Sequence, residues 1–245
     1  MLKRTFRAAL HSVGFDLVRH SPTSRARVLK EREISLVLDV GAQRGAYGQL
    51  LRRSGYRGDI VSIEPLPSSF DELQRAASRD ECWHCVPIAL GSTDESQALH
   101  TWADPSMSSL RTLAPTFSME NPQGEELESV FVSVRRLDSL MTEFGFDSRR
   151  LFLKLDVQGY EREVLDGAVG TLPLVEALEV ELSLEELYDD QALMPELLCR
   201  FYAEGFVLVW LERVAVDRTT GFLLQADGIF VRRKTRGNPP QPIVA

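Results

Sequence analysis

Three features predict an α/β fold built around a parallel sheet. Apolar runs that end in an acid, Leu36-Val37-Leu38 before Asp39 and Ile60-Val61-Ser62-Ile63 before Glu64, read as strands buried on both faces. Gly41, Gly45 and Gly48 follow the first run, a loop that turns a strand into a helix. Strand and helix patterns then alternate, which implies right-handed crossovers between parallel neighbours.

In chain order, residues 1–20 place Leu2, Phe6, Ala9, Leu10 and Val13 at helical spacing, with Lys3, Arg4 and Arg7 opposite. Such a basic amphipathic helix packs on the domain or rests on an anionic membrane surface. We divide the chain into a helical extension over 1–33, one α/β domain over 34–234 and a Pro-rich, disordered tail over 235–245. After the glycine loop a helix runs from Ala46 to Arg53, closed by Ser54-Gly55. Ser69 and Glu72 form a capping-box pattern that starts the next helix, to about Arg79. A strand over Val86 to Leu90 follows, ending at Gly91-Ser92. From Ser96 to Val134 the alternation is lost. Ala98–Trp102 and Val130–Val134 are expected to pair as extra strands, and the loop between them, 103–129, reads as a lid over an acceptor.

Leu151 to Val157 forms the next strand, in which Phe152, Lys154 and Asp156 share one face. A helix begins at Gly159. Ala177 to Leu182 is a further strand, with Glu179 and Glu181 on one face, and Ser183 with Glu186 repeats the capping-box pattern. Pro195 to Ala203 is helical, and Phe206–Trp210 and Gly228–Val231 supply the last strands.

Composition excludes several function classes. A net charge of -8 and a pI near 5.2 disfavour a nucleic-acid footprint, which needs a basic face. No apolar run approaches a membrane span. Three cysteines and no signal-peptide pattern fit a reducing cytoplasm. Cys82 and Cys85 lack the second pair that zinc requires and read as small side chains beside the core. His84 and His100 stand alone, as structural or exposed histidines usually do.

The glycine loop points to a cofactor, since open parallel sheets bind ligands at strand carboxyl ends. A dinucleotide fold places glycine where this chain has Gln43, so that the backbone can approach a pyrophosphate. Gln43 argues against pyrophosphate and thus against a nicotinamide oxidoreductase. Glu64, about 20 residues on, is placed to accept both hydroxyls of a ribose. S-adenosylmethionine meets both conditions, with Gly91-Ser92 beside its adenine. Methyl transfer to an alcohol then needs a group that orients the acceptor and takes its proton. Asp156 is our candidate, with Lys154 tuning its charge and Glu181 as a second base. Asp156, Glu179 and Glu181 alternatively hold Mg²⁺, a choice the residues leave open. A non-catalytic scaffold of the same fold is the remaining reading.

These residues resemble the FkbM family of S-adenosylmethionine-dependent methyltransferases. The similarity rests on Asp39-Val40-Gly41-Ala42 with Gly45 and Tyr47, Glu64-Pro65, Ala89-Leu90-Gly91, Ser108-Ser109-Leu110, Leu137-Asp138, and Lys154 to Glu161 followed by Val164-Leu165 and Gly167-Ala168. The resemblance implies a Rossmann-like class I methyltransferase fold with a seven-stranded sheet whose final strand is antiparallel. It implies O-methylation of a hydroxyl, on sugars of glycolipids and polysaccharides or on macrolide-type natural products. It also implies cofactor contacts from Asp39, Gly41, Ala42, Gln43, Gly45, Tyr47, Glu64, Ala89 and Asp156. Gln43-Arg44 departs from the family's usual Asn and small or apolar residue, and Gln158 stands where Glu is common.

Overall fold

The computed structural model describes residues 24–115, 126–145, 149–217 and 219–233. The proposed helix over 1–20 and the tail from 235 lie outside them, as does the middle of the 103–129 loop. In chain order the elements are α1 (Ser24–Glu31), β1 (Leu36–Val40), α2 (Ala46–Arg53), β2 (Asp59–Ile63), α3 (Pro67–Ala77), β3 (Trp83–Val86), β4 (Ala89–Leu90), β5 (Glu95–Trp102), β6 (Glu126–Arg135), α4 (Leu137–Phe144), β7 (Leu151–Leu155), α5 (Glu161–Asp166), β8 (Val175–Ser183), α6 (Met194–Ala203), β9 (Phe206–Val216) and β10 (Leu223–Arg232).

Seven strands form one sheet in the order β3-β2-β1-β7-β8-β10-β9. The first five run parallel, and β10 is antiparallel to both β8 and β9. This is the Rossmann-like class I methyltransferase arrangement expected from the sequence. Every residue of β1 and β7 is buried, because helices cover both faces of the sheet. One core layer gathers Leu36, Leu38, Leu153 and Leu155 with Val164 and Leu165 of α5; the other gathers Val37 and Phe152 with Leu51, Leu73 and Trp83. Helix α1 adds Val28 and Leu29 to that second layer.

A second sheet, β4-β6-β5, stands beside the carboxyl ends of the main strands. The expected pairing is present, with Ala98 opposite Phe131 in an antiparallel ladder. The run Val86 to Leu90, however, is not one strand. Pro87 has no N–H to give a ladder, so Trp83–Val86 ends the main sheet and Ala89–Leu90 joins the second.

Helix starts also differ from the sequence reading. α3 begins at Pro67, whose fixed φ suits the first helical position, and Ser69 is buried inside the helix without capping it. Ser183 and Glu186 start no helix; Glu186 instead accepts a hydrogen bond from the Asp190 N–H at 2.9 Å. The helix expected from Gly159 is the short α5.

Candidate active site

The glycine loop lies between the ends of β1 and β7. Gly41 has a φ of +76°, and a Cβ there would fall 1.8 Å from the Asp156 carbonyl oxygen. Only glycine permits that approach. Gln43, at φ +47°, turns its N–H onto Glu64 Oε2 at 2.8 Å, while Glu64 Oε1 accepts the Leu66 N–H at 2.9 Å. Burial pushes the Glu64 carboxyl up to about 6 despite these two donors.

A pocket of about 550 Å³ of empty space opens over this loop. Gly41, Gln43, Glu64, Ala89 and Asp156 line it, with Ile88 and Leu90 as apolar wall. Pro105, Ser106, Ser108, Ser109 and Leu110 also line it, and hydrogen bonds hold that segment down. His100 and Ser109 exchange backbone bonds at 2.8 and 3.1 Å, Ser109 Oγ donates to the Gln158 carbonyl at 2.6 Å, and Arg111 Nε donates to the Gly159 carbonyl at 3.0 Å. The described residues 105–110 of the 103–129 loop thus supply part of the pocket wall. No sequence periodicity marks the contacts of Ser109 with Gln158 and Arg111 with Gly159, which join residues 49 and 48 positions apart.

A second pocket, about 1070 Å³ of empty space, adjoins the first; Gly41, Gln43 and Asp156 line both. Ala42, Tyr47, Lys154, Glu181, Glu179, Arg25 and Asp227 belong to the second. Asp39 and Gly45 line neither. Asp39 is fully buried, accepts from Ser62 Oγ at 3.0 Å and faces Lys154 Nζ at 3.4 Å. Gly45, with φ +84°, packs on Leu73 and Trp83. The structure thus divides the candidate residues into a pocket wall and a set behind it that fixes the wall.

Lys154 Nζ also meets Asp156 at 3.1 Å. Burial opposes its charge, but Asp156 and Asp39 outweigh burial and hold the ammonium above its ordinary range. Glu179 pairs with Arg25 of α1 and accepts the Tyr47 hydroxyl at 2.7 Å. Glu181 is held through Gln158 and Gln225. Burial, then Asp156, Glu161 and Asp227, push its carboxyl well above the ordinary range. These acids point to different partners. Among the described residues no group of three or more His, Cys, Asp or Glu side chains is arranged to hold a metal ion.

The wall suits a nucleoside that carries both hydroxyls and an aromatic base. It offers the Glu64 carboxylate at a strand tip, an apolar slot at Ile88 to Leu90, and Ser108 Oγ, which is buried without a hydrogen-bond partner in the structure.

The model of the FkbM methyltransferase domain matches residues 39–213. The chain belongs to the FkbM methyltransferase family. That assignment makes 39–213 an S-adenosylmethionine-dependent methyltransferase domain, in agreement with the wall just described. A curated relative, Methyltransferase 1 of Beauveria bassiana (strain ARSEF 2860), is 29% identical over 147 residues, covering 54% of this chain and 58% of the relative. The chain thus matches little more than half of that relative's length. Among solved structures, the magnesium protoporphyrin IX methyltransferase of Synechocystis PCC 6803 with bound SAM is 12% identical at a TM-score of 0.47, covering 94% of this chain and 97% of that one. An rRNA methylase from Streptococcus thermophilus is 9% identical at a TM-score of 0.48, covering 89% and 100%.

Proposed function

We propose that this FkbM-family protein methylates a hydroxyl of a small or glycosidic acceptor, a sugar of a glycolipid or polysaccharide or a natural product. The observation that carries this reading is the position of Asp156, on the border between the pocket lined by Glu64 and Gln43 and the second pocket lined by Lys154 and Glu181. S-adenosylmethionine supplies, when bound, a methyl group on a sulfonium. The acceptor oxygen forms the new C–O bond as the C–S bond breaks, and the bonding pair stays on sulfur. The acceptor's proton passes to a side chain of the protein. Asp156 is the residue we assign, because Lys154 balances its charge at 3.1 Å. Glu181, which lines only the second pocket, suits the role less well. Glu64 and Gln43 position the nucleoside, and Tyr47 with Glu179 and Arg25 shapes the acceptor side.

Free cysteines at 82, 85 and 199 suit a reducing compartment, and we place the protein in the cytoplasm. Contact of residues 1–20 with a membrane surface would bring a lipid-linked acceptor to the pocket.

Calorimetric titration with S-adenosylmethionine, S-adenosylhomocysteine and NAD tests the cofactor assignment. The first two should bind and NAD should not, and Glu64→Ala should weaken binding at least about tenfold, the loss of a charge-assisted pair. A screen of methyl glycosides then tests the acceptor class. Asp156→Asn should keep S-adenosylhomocysteine affinity and lose turnover; full turnover in that variant removes Asp156 from the mechanism.

A further inference from the structure

The first pocket is lined by a residue, Gln158, whose backbone and side chain are both constrained from elsewhere in the chain. Gln158 has a φ of +53°, a left-handed conformation that strains a non-glycine residue. It persists because the surroundings enforce it. Ser109 Oγ holds the Gln158 carbonyl at 2.6 Å, and Arg111 holds the carbonyl of Gly159 next to it. The side chain is equally fixed. Its Nε2 donates to Asp156 Oδ1 at 2.8 Å and to Glu181 Oε2 at 3.3 Å, and its Oε1 accepts the Tyr188 hydroxyl at 2.9 Å.

Turning this amide over would set its oxygen against two carboxyl groups, so the network permits one orientation. The Tyr188 hydroxyl also lies 2.9 Å from the Met107 carbonyl, which ties the amide to the wall over the nucleoside pocket. Burial, then Glu181, Glu161 and Asp156, hold the Tyr188 phenol well above its ordinary range, so it stays a donor. Asp156 is thus gripped at both oxygens, by Gln158 at Oδ1 and by Lys154 at Oδ2.

We propose that Gln158 is a positioning residue for methyl transfer, holding Asp156 and Glu181 as a fixed pair at the junction of the two pockets. The proposal rests on the reading of Asp156 as the residue that takes the acceptor's proton. Glutamate is common at this position in the family, and in this chain glutamine holds the two carboxyl groups in a different way. Its amide donates to two carboxyl groups at once, whereas an ionised glutamate in its place would be a third acceptor among them. Without it Asp156 has one anchor, Lys154, and is free to rotate away from the acceptor. Its amide acts on the carboxylate that takes the proton, so its loss is expected to weigh more on turnover than on cofactor affinity.

The test compares the wild-type protein with Gln158→Leu, Gln158→Glu and Tyr188→Phe. Two readouts are taken: calorimetric affinity for S-adenosylhomocysteine, and the pH profile of methyl transfer from S-adenosylmethionine to a panel of methyl glycosides. We expect Gln158→Leu to keep affinity within about threefold and to lower kcat at least about tenfold. Gln158→Glu should recover part of that loss at acid pH, where the introduced carboxyl is protonated and can donate, and lose it again as pH rises. The groups facing the pair across this profile are Lys154, Asp39, Glu161, Asp227 and Tyr188, all unchanged in the variant. Tyr188→Phe removes one hydroxyl from the network and should cost kcat a few-fold, which keeps the proposal open to refutation if Gln158→Leu does not fold. A folded Gln158→Leu with wild-type kcat overturns the proposal, as does a Gln158→Glu profile parallel to wild type. A wild-type protein that binds S-adenosylhomocysteine but methylates none of the glycosides overturns the acceptor reading on which it rests.

Discussion

At the scale of single residues, the site is built from buried acids whose charge is opposed by burial. Glu161, at the start of α5, is pushed up to about 7, and Asp227 on β10 likewise. A carboxyl raised in the folded state stabilises the fold below its unfolded value, about 4.5 for Glu161, and that contribution is lost as pH rises through about 7. Urea unfolding should therefore show Glu161→Gln gaining stability relative to wild type as pH increases across that window. A constant difference between the two proteins would contradict this. Part of this site was legible in the sequence: two charges inside the run Leu151 to Val157 require partners, and Lys154 with Asp156 and Asp39 is what they find. The role of Gln158 was not legible, because its partners Ser109, Glu181 and Tyr188 lie 23 to 49 positions away. No spacing rule joins them.

At the scale of elements, α2 sits against the sheet only because two glycines leave room for an indole. Trp83 donates from Nε1 to Ser62 Oγ at 2.9 Å, and Ser62 in turn donates to Asp39. The ring fills the space beside Gly48, where a Cβ would come within 2.2 Å of it. Alanine is the better helix former by about 1 kcal/mol, yet Gly48→Ala should destabilise the protein by about 1–3 kcal/mol through overpacking, measured as a lower urea midpoint. A higher midpoint would show that α2 can slide off the indole. Buried central strands were readable because both faces are covered and apolar residues run on without alternation. The short or edge pieces were harder. Pro87 divides one apparent strand between two sheets, Pro67 overrides the capping signal at Ser69, and β9 continues to Val216 through exposed residues that carry no burial pattern.

At the scale of the whole molecule, contacts distant in sequence hold the parts in register. Arg25 of α1 reaches Glu179 of β8 across 154 positions, and both side chains are largely shielded from water. Removing one member of such a pair leaves a buried charge without its partner, so Arg25→Ala should cost about 3 kcal/mol in chemical denaturation. Arg25→Lys, a point charge without the planar fork, should recover part of the loss. A neutral Arg25→Ala would mean that Tyr47 alone satisfies Glu179.

The placement of β10 between β8 and β9 has a further meaning for how the chain is made. A ribosome delivers β10 after both of its neighbours, yet the strand belongs inside the sheet and not at its rim. Until residue 232 has emerged, β8 ends the nascent sheet with an open row of backbone donors and acceptors. Closure of this side of the sheet thus waits for the last of its strands to emerge. During that interval the growing chain depends on chaperones, or on rapid closure of the β9–β10 hairpin, to keep the rim of β8 from pairing with another nascent chain.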